Sequence, residues 1–295
     1  MKNKLLSRKE FFTKTLTGLA GISLVSNKVT GMFSSEPELR SLGKTGIMVT
    51  PLCFGGPRTN EESVIRYALD KGINFIDTGR AYGKNEQLVG RAVAGRRGSV
   101  VIMSKMQLEE KELPSKGKGR KGAAEIRDVL SKKLEASLKA LNTDYIDVSL
   151  YHNALDEKLL FHSEVMKFFS EMKKNGVIKA HGYSAHNEYM HLHERNNSEL
   201  IYDVIVIPFN HKGLFVKPDY TSKWDQQKQI SLLKEAAGKG IGVVAIKTCL
   251  GGKYSPSASI EPSFKEAVRW VIQQEYISSA AVAMTSFEQI DEHTA

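Results

Sequence analysis

The sequence predicts an α/β chain closed as an eight-stranded (β/α)8 barrel, the TIM barrel. Three observations predict it. Eight short apolar runs recur between residues 47 and 285, and helical patterns separate them. The 295 residues also suffice for one such barrel, which needs about 250, plus a short extension.

The strand runs are 47–54, 74–78, 100–105, 145–151, 179–184, 204–209, 242–249 and 279–285. Each is nearly continuous in apolar residues, as a strand covered on both faces requires. Among the helices, 123–141 has the clearest pattern: Ile126, Val129, Leu130, Leu134, Leu138 and Leu141 recur at three and four. Segments 159–174 and 231–239 behave likewise. Gly72, Gly176 and Gly240 follow helical runs, where a helix end favours a residue free to turn left-handed. The alternative is a doubly wound open sheet. It calls for a G-x-G-x-x-G turn after the first strand, and Cys53-Phe54-Gly55-Gly56-Pro57 is not one.

Composition narrows the class. At 41% hydrophobic and 25% charged, the chain reads as an ordinary globular protein with a sizeable core. Cys53 and Cys249 lie far apart in apolar runs, which suggests neither a disulfide framework nor a cysteine metal site. Of the net charge of +9, residues 1–35 carry +5, from Lys2, Lys4, Arg8, Lys9, Lys14 and Lys28 against Glu10. The remaining +4 is too mild to point to nucleic acid. His181, His186, His191 and His193 fall close together but straddle a strand, a loop and a helix start. No metal site is expected from them.

Four polar residues stand at three consecutive strand ends. Asp77 ends the second strand and Tyr82 follows it by five residues. Lys105 ends the third strand, and His152 follows the fourth. A barrel brings these C-terminal ends to one mouth. Hydride arriving at a carbonyl carbon builds negative charge on oxygen, which needs a proton donor. Tyrosine alone is a weak acid near neutral pH. A lysine ammonium beside it favours the phenolate, so Lys105 is expected to lower Tyr82. Asp77 holds the lysine charged, and His152 orients the substrate oxygen.

With those residues in place, the chain resembles the aldo/keto reductase superfamily. The likeness runs over residues 39–293. It lies in Leu42-Gly43-Lys44-Thr45-Gly46 with Val49 and Pro51, in Asn74-Phe75-Ile76-Asp77-Thr78, and in Tyr82-Gly83. It continues in Asn85-Glu86 with Val89-Gly90-Arg91-Ala92, and in Leu134-Glu135 to Leu141 with Asp144-Tyr145-Ile146-Asp147. The resemblance implies an NAD(P)H-dependent carbonyl reductase with Tyr82 as proton donor and Asp77, Lys105 and His152 completing a tetrad. It also implies NADP as cofactor, with NAD as the alternative, and a small-molecule carbonyl substrate.

On the cofactor side the resemblance assigns Ser184 to the nicotinamide carboxamide, followed here by Ala185-His186-Asn187 where relatives have Asn. A glutamine usual on the sixth strand is Val206. The segment holding the adenosine phosphate corresponds to Thr285, Ser286, Gln289 and Glu292. Thr285 and Gln289 occupy positions where NADP-specific relatives often carry cations. The chain ends two residues after His293, so a more open substrate pocket is expected.

Residues 1–35 read as a signal-like segment ahead of a barrel over 36–295. Ser7-Arg8-Lys9-Glu10-Phe11-Phe12 resembles a twin-arginine translocation motif, and an 11-residue weakly apolar run follows from Thr15 to Val25. That run is too short to span a bilayer, which takes about 20 apolar residues. The segment implies export to the periplasm or cell envelope, with a cytoplasmic location as the alternative, and membrane contact through it alone. The basic stretch 115–121 lies between Lys105 and the next helix, most simply as a solvated loop. A second functional class is a non-enzymatic ligand- or nucleotide-binding barrel, to which the missing amide contacts point.

Overall fold

The structure, a computed structural model, describes residues 38–109, 112, 119–154, 156–186, 190–213, 225–249 and 263–295. A two-stranded hairpin leads, β1 (Arg40–Ser41) with β2 (Met48–Val49). Eight parallel strands follow: β3 (Leu52–Gly55), β4 (Phe75–Asp77), β5 (Val101–Met106), β6 (Ile146–Tyr151), β7 (Ile178–Ser184), β8 (Val204–Pro208), β9 (Gly242–Ile246) and β10 (Ser279–Ala283). They close in the order β10-β3-β4-β5-β6-β7-β8-β9. Closure settles the choice against an open sheet.

Each of the eight apolar runs overlaps a barrel strand, with the strand reaching one residue beyond the run at Gly55, Met106 and Ile178. The first, 47–54, holds two elements: β2 belongs to the hairpin, and β3 begins only after Pro51. Pro51 has no N–H to give a ladder, and Thr50 donates its own to the Asn74 side chain at 2.8 Å. The strand therefore breaks inside an unbroken apolar run.

Side chains alternate across the barrel wall. Cys53, Phe75, Met103, Val148, Leu150, Val204, Val206 and Val244 pack inside with Leu42, Ile47 and Val49 of the hairpin. That hairpin plugs the N-terminal end of the barrel and leaves the C-terminal mouth for chemistry. Its turn needs Gly43, at φ 59°, where a Cβ would also meet the Gly242 backbone nitrogen at 2.5 Å. Leu52, Phe54, Ile76 and Ile102 face outward to the helical layer.

That layer comprises, among the described residues, α1 (Glu62–Asp70), α2 (Asn85–Ala92), α3 (Gly119–Leu141), α4 (Glu157–Leu160), α5 (Ser163–Lys174), α6 (Met190–Glu199), α7 (Gln226–Gly238), α8 (Phe264–Ile272) and α9 (Phe287–Thr294). In α3 the stripe Ile126, Leu130, Leu134 and Leu141 is buried, as its spacing requires. Helix α8 begins at a capping box, in which Ser263 and Glu266 satisfy each other's backbone N–H groups. Residues 115–118 of the basic stretch and the signal-like segment 1–35 lie outside the described residues.

Candidate active site

Strand register delivers the four tetrad residues to one rim. Asp77 is the last residue of β4, Lys105 the fifth of the six in β5, and His152 follows β6 directly. The loop after β4 stays on the β5 edge: Thr78 N–H donates to Met103 O at 2.8 Å and Arg80 N–H to Lys105 O at 3.0 Å. A turn at Gly79 then brings Tyr82 back over Lys105, with Tyr82 N–H donating to Gly79 O at 3.0 Å. His152 N–H donates to Met106 O at 2.7 Å and so extends the ladder into the mouth.

The Lys105 ammonium has three donors and each finds an acceptor. It pairs with Asp77 in a buried salt bridge, donates to Thr78 O at 2.9 Å, and donates to the Tyr82 hydroxyl at 3.2 Å. Lysine thereby fills an acceptor position on the Tyr82 oxygen, and the phenolic proton is left for another partner. The His152 ring stands edge-on to Tyr82, with centroids 5.6 Å apart. His152 Nδ1 is buried and has no hydrogen-bond partner among the described residues.

Electrostatics assigns the roles. Burial pushes His152 down to about 3, helped by the charge of Lys105 and by His186, so it stays neutral at physiological pH. Burial pulls the Lys105 ammonium down, but Asp77 and Tyr82 outweigh it and hold the lysine charged, above its ordinary value. Burial raises the Asp77 carboxyl although Lys105 opposes it. Tyr82 departs from expectation. Burial raises its hydroxyl more than Lys105 lowers it, so the net shift is upward. Tyr82 is thus a firmly protonated donor whose lysine neighbour limits the cost of losing the proton.

A second layer fixes this rim. Thr78 Oγ1 donates to Asn85 Oδ1 at 2.7 Å, and Asn85 Nδ2 donates to Gly56 O at 2.8 Å. Gly56 must be glycine, since a Cβ there would meet the Asp77 carbonyl oxygen at 2.5 Å. Glu86, buried, accepts from Ser104 Oγ and from Arg80 Nη1, each at 2.7 Å. The sequence shows Asn85-Glu86 only as a matching pair; their work as braces emerges from the fold. Asp147, in the second matching stretch, points to the opposite end and holds Arg97, Lys179 and the Ile102 N–H together.

Ser184 is buried at the end of β7, where its Oγ accepts from Asn153 N–H at 3.0 Å. Val206 pairs beside it in β8 and faces the barrel interior. Asn187 lies outside the described residues. On the far side of the mouth, Ser286 caps α9. Gln289 Oε1 accepts from Thr285 N–H at 2.7 Å, and Glu292 is raised by partial burial. Thr285, Ser286 and Gln289 thus cluster at one helix start, a position suited to a phosphate, while Glu292 lies in the second half of that helix. They stand apart from the tetrad.

His186 is a site residue that sequence reasoning weighed only as a metal ligand. Its ring lies 6.3 Å from that of His152, edge-on, and burial with Lys247 and Lys105 lowers it to about 4. The other histidines diverge: His193 is buried against Tyr183, sharing a hydrogen bond at 2.5 Å, and His191 is exposed. Among the described residues no three His, Cys, Asp or Glu side chains converge to hold a metal.

The aldo/keto reductase family model matches residues 54–266, most of the chain. The chain belongs to the aldo/keto reductase family. It is 27% identical over 230 residues to the uncharacterized oxidoreductase YrpG of Bacillus subtilis, covering 73% of this chain and 67% of that one. It is 29% identical over 153 residues to the uncharacterized oxidoreductase YqkF of the same organism, covering 50% of this chain and 48% of that one. The match thus spans about half the length of YqkF. A holo-form aldo-keto reductase from Bacillus halodurans shares the fold, with TM-score 0.67 at 21% identity, covering 88% of this chain and 90% of that one. Family and relatives together make this chain an oxidoreductase.

Proposed function

We propose that this oxidoreductase reduces an aldehyde or ketone to an alcohol, with Tyr82 delivering the proton. The observation that carries the reading is the saturated Lys105 ammonium, bonded to Asp77, Thr78 O and Tyr82. The Tyr82 hydroxyl then has its donor side open toward His152. A neutral His152 donates a hydrogen bond to the carbonyl oxygen without competing as an acid. As negative charge develops on that oxygen, the proton passes from Tyr82, and Lys105 stabilises the phenolate left behind.

NAD(P)H, which the family generally uses, supplies the hydride when bound. The donor set fits such a group. Ser184 stands at the nicotinamide side and keeps a hydroxyl proton to give, while Thr285, Ser286, Gln289 and Glu292 receive the adenosine half. NADP is the family's usual partner. Here no arginine or lysine occupies 285 or 289, the positions where NADP-specific relatives often carry cations.

Titration with NADPH and NADH, followed by nicotinamide fluorescence, tests the reading. Both bind, with dissociation constants within about tenfold of each other. Gln289→Arg tightens NADPH selectively by about tenfold, through a bidentate phosphate contact. If neither dinucleotide binds, the reductase reading fails and the binding-barrel alternative replaces it. A strong native NADPH preference that Gln289→Arg leaves unchanged places the 2′-phosphate elsewhere.

The location proposal rests on residues 1–35 alone: Arg8-Lys9 and Phe11 ahead of a weakly apolar run direct the folded barrel across the inner membrane. Fused to a reporter that must fold before export, the segment delivers it to the periplasm, and Arg8-Lys9→Gln-Gln holds it in the cytoplasm. A reporter that stays cytoplasmic with the native segment refutes export.

A further inference from the structure

Arg80 stands in the loop between Asp77 and Tyr82, and it is tied down at both ends. Its N–H donates to Lys105 O at 3.0 Å, and its guanidinium donates to Glu86 at 2.7 Å. Glu86 lies in the first turn of α2 with its side chain 2% exposed, whereas that of Arg80 is 37% exposed. An ion pair between two mobile surface chains contributes little, but here one partner is fixed in the interior. The other Glu86 oxygen accepts from Ser104 Oγ at 2.7 Å, and Ser104 precedes Lys105 in β5. One carboxylate therefore joins the strand that carries Lys105 to the loop that carries Tyr82.

The Arg80–Glu86 pair closes residues 80–86 into a ring, and Tyr82 lies inside it. Two turns shape that ring: Tyr82 N–H donates to Gly79 O at 3.0 Å, and Asn85 N–H donates to Tyr82 O at 3.1 Å. Where the ring begins, the chain runs against the lysine stem, since a Cβ on Gly79 would meet Lys105 Cβ at 3.3 Å. Ala81, Gly83 and Lys84 are exposed. What the ring fixes is the Tyr82 hydroxyl against the Lys105 ammonium, 3.2 Å away. Burial raises Tyr82, and Lys105 is the largest force against that rise. Its pull weakens as the two groups separate.

We propose that Arg80 is a positioning residue for proton transfer: bonded to Glu86, it holds the Tyr82 hydroxyl on Lys105. In this role Arg80 acts through Tyr82 and touches neither substrate nor dinucleotide. The assignment rests on the reductase reading above, in which Tyr82 is the acid.

The test uses NADPH with 4-nitrobenzaldehyde as probe. Arg80→Gln lowers the single-turnover rate by about tenfold to a hundredfold, the loss that a displacement of about 1 Å brings, and KM for the aldehyde stays within about twofold. Arg80→Lys keeps a cation on Glu86 and recovers most of the rate. On a Tyr82→Phe background Arg80→Gln costs nothing further, since no hydroxyl is left to place. An unchanged rate in Arg80→Gln, a loss that falls on KM, or a loss that adds to that of Tyr82→Phe overturns the proposal. Where the bare Glu86 carboxylate unfolds Arg80→Gln, the paired change Arg80→Gln with Glu86→Gln removes that charge and carries the same expectations.

Tyrosine labelled with carbon-13 at Cζ gives a readout without turnover. The Tyr82 signal, identified by its loss in Tyr82→Phe, shifts in Arg80→Gln and returns in Arg80→Lys. A signal that Arg80→Gln leaves in place removes the positioning role, whether or not any aldehyde is reduced. A signal that moves in a protein that reduces no aldehyde supports the placement by Arg80 and fails the reductase reading alone.

Discussion

Tyr82→Phe lowers carbonyl reduction by about 10²–10⁴-fold, the usual worth of a general acid, and leaves NADPH affinity nearly unchanged. The substitution removes one O–H and keeps the ring that stands edge-on to His152. No neighbour can replace the lost acid. His152 binds a proton only down near pH 3, because burial and then Lys105 disfavour the imidazolium. Lys105 is raised and fully committed to Asp77 and Thr78 O, so its proton is expensive to lose. Only water remains, a far weaker donor at neutral pH. Single-turnover measurement of NADPH oxidation isolates the chemical step, and unaltered turnover in Tyr82→Phe removes the tyrosine from the role.

Much of this site was legible because its residues sit where periodicity changes. Asp77, Lys105 and His152 each mark the point at which an apolar strand run meets a polar residue, and the barrel supplies the convergence. Tyr82 lies in a loop, yet five residues from Asp77 is short enough for one turn at Gly79 to return it. Pairwise chemistry was legible too: Lys105 does pull Tyr82 downward. What the sequence withholds is the depth of burial, and burial reverses the net sign. His186 shows the same gap from another side. Its neighbours in sequence are an alanine and an asparagine, and only the path of the chain after β7 sets its ring against His152. Lys247 lies inside the run 242–249, which reads as one strand, and the left-handed backbone that ends β9 there is invisible without coordinates. The hairpin strand β2 was hidden for the opposite reason. Its residues are as apolar as those of β3, and each strand sends one side chain, Val49 or Cys53, into the barrel core.

Buried histidines make this protein lose stability in mild acid. Burial is the leading cause in six cases: it lowers His181 and His211, and in the four deepest shifts His152 and His193 fall to about 3, His186 and His293 to about 4. In the unfolded chain each titrates near 6.5. Between those values the unfolded state binds more protons than the folded state, so stability rises with pH across the window. The contribution is fully present above about pH 7 and is lost as pH falls from about 6.5 toward 4. At about pH 5 each histidine costs on the order of 2 kcal/mol, and four together approach the whole stability of a typical domain, about 5–15 kcal/mol. Carboxylates do not produce this window. Glu62, Glu266 and Asp291 are lowered by hydrogen bonds on the exposed surface and matter only below the ordinary carboxylate range. Urea midpoints measured at steps from about pH 7.5 to about pH 5 therefore fall steeply, with unfolding accompanied by net proton uptake. His193→Phe removes one titrating group from helix α6 and flattens the slope by up to about a quarter, at some cost from the lost Tyr183 hydrogen bond. A midpoint that stays level down to about pH 5 means that these imidazoles titrate as freely in the fold as out of it.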